Sequence, residues 1–138
     1  MKSSGVKLHV VVDEDLSPKV ADLLNLCMGE TVEAIRMPKE LRGTEDTKWM
    51  AAIATRDPKP VVLTADKRIL TRKLERDAVE ANRLSLVVVA PSWMNLKWRF
   101  QCWRLLKAWP RVEDKLDDAT EPVLVWIDVV RETVRLVK

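Results

Sequence analysis

Apolar residues in this chain gather in short runs, and longer stretches with helical spacing lie between them. Residues 6–12, Val-Lys-Leu-His-Val-Val-Val, are rich in β-branched side chains and ambiguous in face, as a buried strand would be. Ser17-Pro18 then reads as an N-cap followed by proline at the first helical position. Val20, Leu23, Leu24 and Cys27 recur at i, i+3, i+4 and i+7, predicting an amphipathic helix closed by Gly29. Thr31 to Ile35 predicts a short second strand, and Pro38 to Gly43 a loop. Thr44 reads as the cap of a helix with Glu45 and Asp46 in its first turn, where acids suit the helix dipole. That helix runs through Trp49, Met50, Ile53 and Ala54 to a break at Asp57-Pro58-Lys59-Pro60.

Val61 to Thr64 predicts a third strand. Residues 67–82 form a highly charged helix with Ile69, Leu70, Leu74 and Ala78 as its inner face. Leu84 to Val89 is a fourth strand, and Pro91-Ser92 opens a long helix to about Trp109. Residues 110–121 read as a polar linker and Val123 to Val130 as a last strand. This alternation predicts an α/β fold in three layers, α/β/α, around a mostly parallel sheet of four or five strands. The expectation is a single domain over residues 1–138, with a polar tail at 1–5.

Composition narrows the class only a little. Hydrophobic residues make up 47% and charged residues 33%, an ordinary globular balance, and no apolar run is long enough to span a bilayer. No secretory signal is expected from the start of the chain, and no membrane partner. Cys27 and Cys102 read as small buried hydrophobes, not as a disulfide or metal pair, which implies a cytoplasmic setting. The net charge of +3 permits an anionic partner without requiring one.

Three carboxylates carry the candidate chemistry. Asp13 follows the first strand, Asp46 opens a helix, and Asp66 lies two residues beyond the third strand. Carboxyl ends of parallel strands share one edge, where loops build the ligand site. Acids from three distant segments aimed at that edge suggest a cage for a hard divalent cation, because clustered carboxylates without one repel and raise each other's pKa. Asp46 shares a helical face with Met50 and Ile53, so it is preferred over Glu45, which faces solvent. Each acid alone reads as a loop or helix-start residue; only the set argues for a site. Glu14 and Asp15 stay open, either as supporting groups or, for Asp15, as a helix starter.

Three segments, Val12-Asp13-Glu14-Asp15-Leu16-Ser17-Pro18, Leu41-Arg42-Gly43-Thr44-Glu45-Asp46 and Val62-Leu63-Thr64-Ala65-Asp66-Lys67, together resemble the PIN-like nucleases. Within that family they look most like the small PIN-like toxins of prokaryotic toxin–antitoxin systems. The resemblance covers roughly residues 7–110 and implies an endoribonuclease that binds Mg²⁺ or Mn²⁺ through Asp13, Asp46 and Asp66. RNA is the implied substrate, a cognate antitoxin the implied partner, and a homodimer an open expectation. Relatives often carry a further acid where this chain has Arg68, or past the fourth strand, where it has Ser92 to Asn95. Ser92, Asn95, Glu14 and Glu45 are therefore the candidates for a fourth ligand or supporting group. Lys67, Arg68 and Arg42 are candidates for holding phosphate.

Six tryptophans with no tyrosine are unusual, and Trp93, Trp98, Trp103 and Trp109 crowd one stretch. Between residues 96 and 109, Leu96, Phe100 and Trp103 make one apolar stripe, and Trp98, Cys102, Leu105 and Trp109 another. Lys97, Gln101, Arg104 and Ala108 lie between them. The favoured reading is a helix buried on most sides, against the core and a partner; the alternative is base stacking beside cations. His9 reads as structural. Two other functions are weighed: an inactive PIN-like module that binds RNA or a partner, and a haloacid-dehalogenase-like phosphatase opened by Asp13-Glu14-Asp15. The second lacks a later acidic pair at a strand end, since Asp117-Asp118 falls in the linker.

Overall fold

A computed structural model describes residues 7–129 and 131–137; the predicted tail at 1–5, Val6 and Val130 lie outside them. Six strands form one sheet: β1 (Leu8–Val12), β2 (Val32–Arg36), β3 (Val61–Thr64), β4 (Leu86–Val89), β5 (Leu124–Asp128) and β6 (Thr133–Val137). Their order is β2-β1-β3-β4-β5-β6, with β1 to β5 parallel and β6 antiparallel at the edge. β3 and β4 are buried at every position, as continuous apolar runs covered on both faces must be.

Successive residues of each strand feed opposite faces. Val10 and Val12 pack with helices α1 (Lys19–Met28) and α5 (Trp98–Asp118), around Leu24, Leu105 and Trp109. Val11 packs on the other face with α2 (Asp46–Ala54) and α4 (Lys73–Ala81), around Trp49, Met50, Ile53 and Val79. The α/β expectation therefore holds, with a sixth strand beyond those anticipated.

Several expectations need correction. The helix foreseen over 67–82 breaks at Arg72, whose backbone is extended, giving α3 (Arg68–Thr71) and then α4. The break resets the helical phase, so Leu74 is 69% exposed and Val79 takes the inner position. Pro91–Asn95 is a short 3₁₀ turn, and α5 starts only at Trp98. It then runs through Pro110 to Asp118, so no linker occupies residues 110–118. Proline removes one helical hydrogen bond, but burial of Trp109, Val112 and Glu113 on either side holds the helix together. Thr44 does not cap α2; its hydroxyl donates to the Leu41 carbonyl, and Glu45 is the N-cap. Cys27 is exposed because α1 buries Val20, Ala21 and Leu24 instead, and Cys102, on α5, is only half-buried. His9 pairs across β1 and β2 with Glu33, at 3.5 Å.

Candidate active site

Order β2-β1-β3 means the chain leaves β1 toward one neighbour and later returns on its other side. The crevice beyond the carboxyl ends of β1 and β3 is thus the switch point of the sheet, the place where such folds bind ligands. Asp13 stands at the end of β1, and its backbone N–H continues the ladder to the Leu63 carbonyl, 2.8 Å away. Its carboxylate is buried. Oδ1 accepts from the Glu14 N–H and Oδ2 from the Thr64 hydroxyl, both at 2.8 Å. Burial pushes the Asp13 pKa up, partly offset by those two hydrogen bonds, and the charges of Asp46 and Asp66 push it further up.

Asp15 joins this site, a role the sequence left open. The residue as a whole is exposed, but its carboxylate turns inward: Oδ2 accepts from the Ala65 N–H at 3.2 Å and lies 3.4 Å from the Thr64 hydroxyl. Desolvation first, then the Asp13 charge, raises its pKa to about 7. Thr64 has one proton to give and directs it at Asp13, the nearer acceptor, while its oxygen accepts from the Asp66 N–H at 3.0 Å. Thr64 is the hub that sequence reading missed. A hydroxyl ending an otherwise apolar buried strand was the available signal.

Asp66 is held differently. Arg68 grips it as a fork, Nε to Oδ1 and Nη2 to Oδ2, each at 2.9 Å, and the Arg68 backbone N–H also reaches Oδ1. The guanidinium holds the Asp66 carboxyl below its usual range. Asp46 is half-buried at the start of α2, and its Oδ1 accepts from the indole N–H of buried Trp49 at 2.9 Å. Glu45 is exposed, as the helical-face argument expects. Glu14 points elsewhere: its carboxylate accepts from the Gly43 N–H at 2.7 Å and ties the loop after β1 to the turn before α2. Gly43 has φ +76°, a conformation that favours glycine.

A cleft of about 200 Å³ opens beside Asp13, walled by Arg36, Met37, Arg42 and Pro18 among others. Arg42 is anchored there through Nε to the Met37 carbonyl. Arg36, the last residue of β2 and in register with Val12, was not anticipated, because the predicted strand stopped one residue short. Lys67 is exposed with no ion-pair partner among the described residues. Ser92 and Asn95 both lie in the 3₁₀ turn that follows β4.

The donor set can be tested against a divalent cation. Among the described residues no three His, Cys, Asp or Glu side chains converge closely enough to hold a metal ion as they stand. Asp13, Asp46 and Asp66 are turned toward Thr64, Trp49 and Arg68. All three nevertheless keep an oxygen with an open lone pair, and among the described residues no cation pairs with Asp13 or Asp15. Hard oxygen donors, two of them raised by burial and mutual repulsion, fit a hard divalent ion. Arg68 competes for Asp66.

A family model described as PIN like domain matches residues 8–91, from β1 to just past β4. The chain belongs to that family. The match includes Asp13, Asp46 and Asp66 and argues for a nuclease-type fold instead of a haloacid-dehalogenase one. The PIN-like match ends before α5, β5 and β6. The chain matches no curated protein and no solved structure.

The raised carboxylates make stability depend on pH in a defined direction. Folded Asp15 keeps its proton up to about pH 7, whereas the unfolded residue loses it near 3.8. Between those values the folded state binds more protons, so stability in EDTA is expected to fall as pH rises from about 4 to 7. Solvent reaching Asp15 limits the change to about 1–2 kcal/mol. Mn²⁺ binds the ionised form, so the melting temperature gained on adding Mn²⁺ is expected to be larger at pH 8 than at pH 5.5. Thermal melts with and without Mn²⁺ across this range check both signs; a gain that shrinks as pH rises contradicts the assignment.

Proposed function

We propose that this PIN-like protein is a metal-dependent endoribonuclease, with Asp13, Asp46 and Asp66 as ligands of Mg²⁺ or Mn²⁺ and Asp15 beside them. The observation that carries this reading is the pair of inward-facing carboxylates, Asp13 and Asp15, at the switch point of the sheet, both raised in pKa and without a cation partner among the described residues. A divalent ion, when bound there, lowers the pKa of a water toward neutrality and offsets charge developing on the phosphate. The protein's own groups do the rest. Thr64 holds Asp13 in place, and Trp49 fixes the direction of Asp46. Arg68 uses two of its five N–H donors from the side chain on Asp66 and offers the others to a phosphate oxygen. Lys67, Arg42 and Arg36 supply further positive charge around the same rim.

The resemblance to PIN-like toxins extends the proposal: the physiological partner is a cognate antitoxin covering this rim, and the working location is the cytoplasm. No helix among the described residues is long and apolar enough to cross a membrane. The test incubates purified protein with RNA in Mn²⁺, in Mg²⁺ and in EDTA, beside p-nitrophenyl phosphate. Cleavage of RNA that EDTA stops, with no turnover of the phosphate monoester, is the expected result. Intact RNA under every metal condition sinks the nuclease reading and leaves a PIN-like binding module.

A further inference from the structure

Burial divides the aromatic residues of α5 between its two sides. Leu105, Ala108, Trp109, Val112 and Glu113 face the sheet, while Phe100 is 43% and Trp103 51% exposed on the opposite side. At 100° per residue, Arg99, Phe100, Trp103, Lys107 and Arg111 share that outward side. Cations stand over the rings: Arg99 lies 4.9 Å from the Phe100 centroid, and Lys107 and Arg104 lie 5.1 and 5.2 Å from that of Trp103. Residues 81–112 contain Arg83, Lys97, Arg99, Arg104, Lys107 and Arg111 and no acidic residue at all. The rest of the chain is net acidic, so this segment carries more positive charge than the whole chain's net of +3. Glu132 answers from across the gap, pairing with Lys107 at 2.8 Å and Arg104 at 3.6 Å.

Position links the stripe to the acids. α5 begins shortly after β4 ends, and Arg104 donates to the Val129 carbonyl in the turn leaving β5. Both strands end at the edge where Asp13 and Asp66 stand. We propose that the outward stripe Arg99, Phe100, Trp103 and Lys107 is a stacking platform for a single-stranded stretch of RNA that leads into the acidic rim. The proposal rests on the nuclease reading and adds a substrate-binding surface outside the span matched by the family. Single-stranded RNA fits because its bases offer flat faces to the rings while its phosphates meet the adjacent cations. A duplex would meet the cations but, with its bases already stacked, leave the rings uncovered.

The test measures binding in EDTA, without cleavage, of a fluorescein-labelled single-stranded RNA of about a dozen nucleotides, and of the same RNA annealed to its complement. The Phe100→Ala/Trp103→Ala double variant is expected to bind the single strand about 10- to 100-fold more weakly, with much less loss on the duplex, whose bases are already stacked. Trp103→Phe, which keeps a ring, retains most of the affinity. Arg99→Gln lowers the salt dependence by about one counterion, which tests the surface even if the double variant folds poorly. Unchanged single-strand binding in a folded double variant overturns the platform, as does an equal loss on the duplex. Because the metal-dependent cleavage assay is separate, an inactive acidic site and an absent platform give different results.

Discussion

Asp13→Asn is expected to reduce metal-dependent RNA cleavage by about a thousandfold or more while leaving the melting temperature in EDTA unchanged or slightly raised. The two halves of this result have one cause. Asp13 is 7% exposed, and its charge is disfavoured by burial and by Asp46 and Asp66. Asparagine keeps the shape and removes that charge. Its amide oxygen can still accept from the Glu14 N–H, and the Thr64 hydroxyl can turn to receive the amide hydrogen and donate toward Asp15, 3.4 Å away. The folded state therefore loses little, while the ligand that a cation needs is gone. A third readout follows: the melting temperature gained on adding Mn²⁺ should largely disappear. A variant that loses activity only because it unfolds, or one that keeps the full Mn²⁺ gain, would separate Asp13 from metal binding.

Trp109→Ala is expected to have the largest effect on stability, about 3–5 kcal/mol, a fall of roughly 10–20 °C in melting temperature. Trp109 is fully buried on the inner side of α5, in the cluster with Leu24, Leu105 and Val125. Its indole N–H has no hydrogen-bond partner among the described residues, so its contribution is packing alone. Trp109→Phe should therefore cost far less, because it keeps a ring and removes an unpaired buried donor. The loss in Trp109→Ala matters for the acidic site as well. α5 and α1 cover the sheet face carrying Val10 and Val12, and Val12 leads into Asp13. Thermal melts of both variants provide the check. Equal destabilisation by Phe and Ala would show that the indole N–H does find a partner.

The acids were legible in the sequence because strand ends leave a local signature. An apolar run that stops at an acid is visible without any knowledge of neighbours, as in Val12-Asp13 and Thr64-Ala65-Asp66. The half-burial of Asp46 and the exposure of Glu45 likewise follow helical phase. Thr64, Arg36 and the inward turn of Asp15 were not legible in the same way. The roles of Thr64 and Asp15 depend on β3 lying directly beside β1, a neighbour relation between residues some fifty positions apart, and that of Arg36 on β2 lying against the other side of β1. The break at Arg72 and the passage of α5 through Pro110 run against local propensity, because burial of Val79, Trp109 and Val112 decides the outcome.

Sequence pattern alone determined the α/β class, the strands β1 to β5 and the acids ending two of them, because period and chain-terminating residues are properties of neighbours along the backbone. Only tertiary structure decided how those acids are occupied. It set Asp13 and Asp15 against a shared threonine and gave Asp66 to Arg68. It also turned Phe100 and Trp103 to solvent, because hydrogen bonding, desolvation and exposure depend on groups that meet across the sheet, not along the chain.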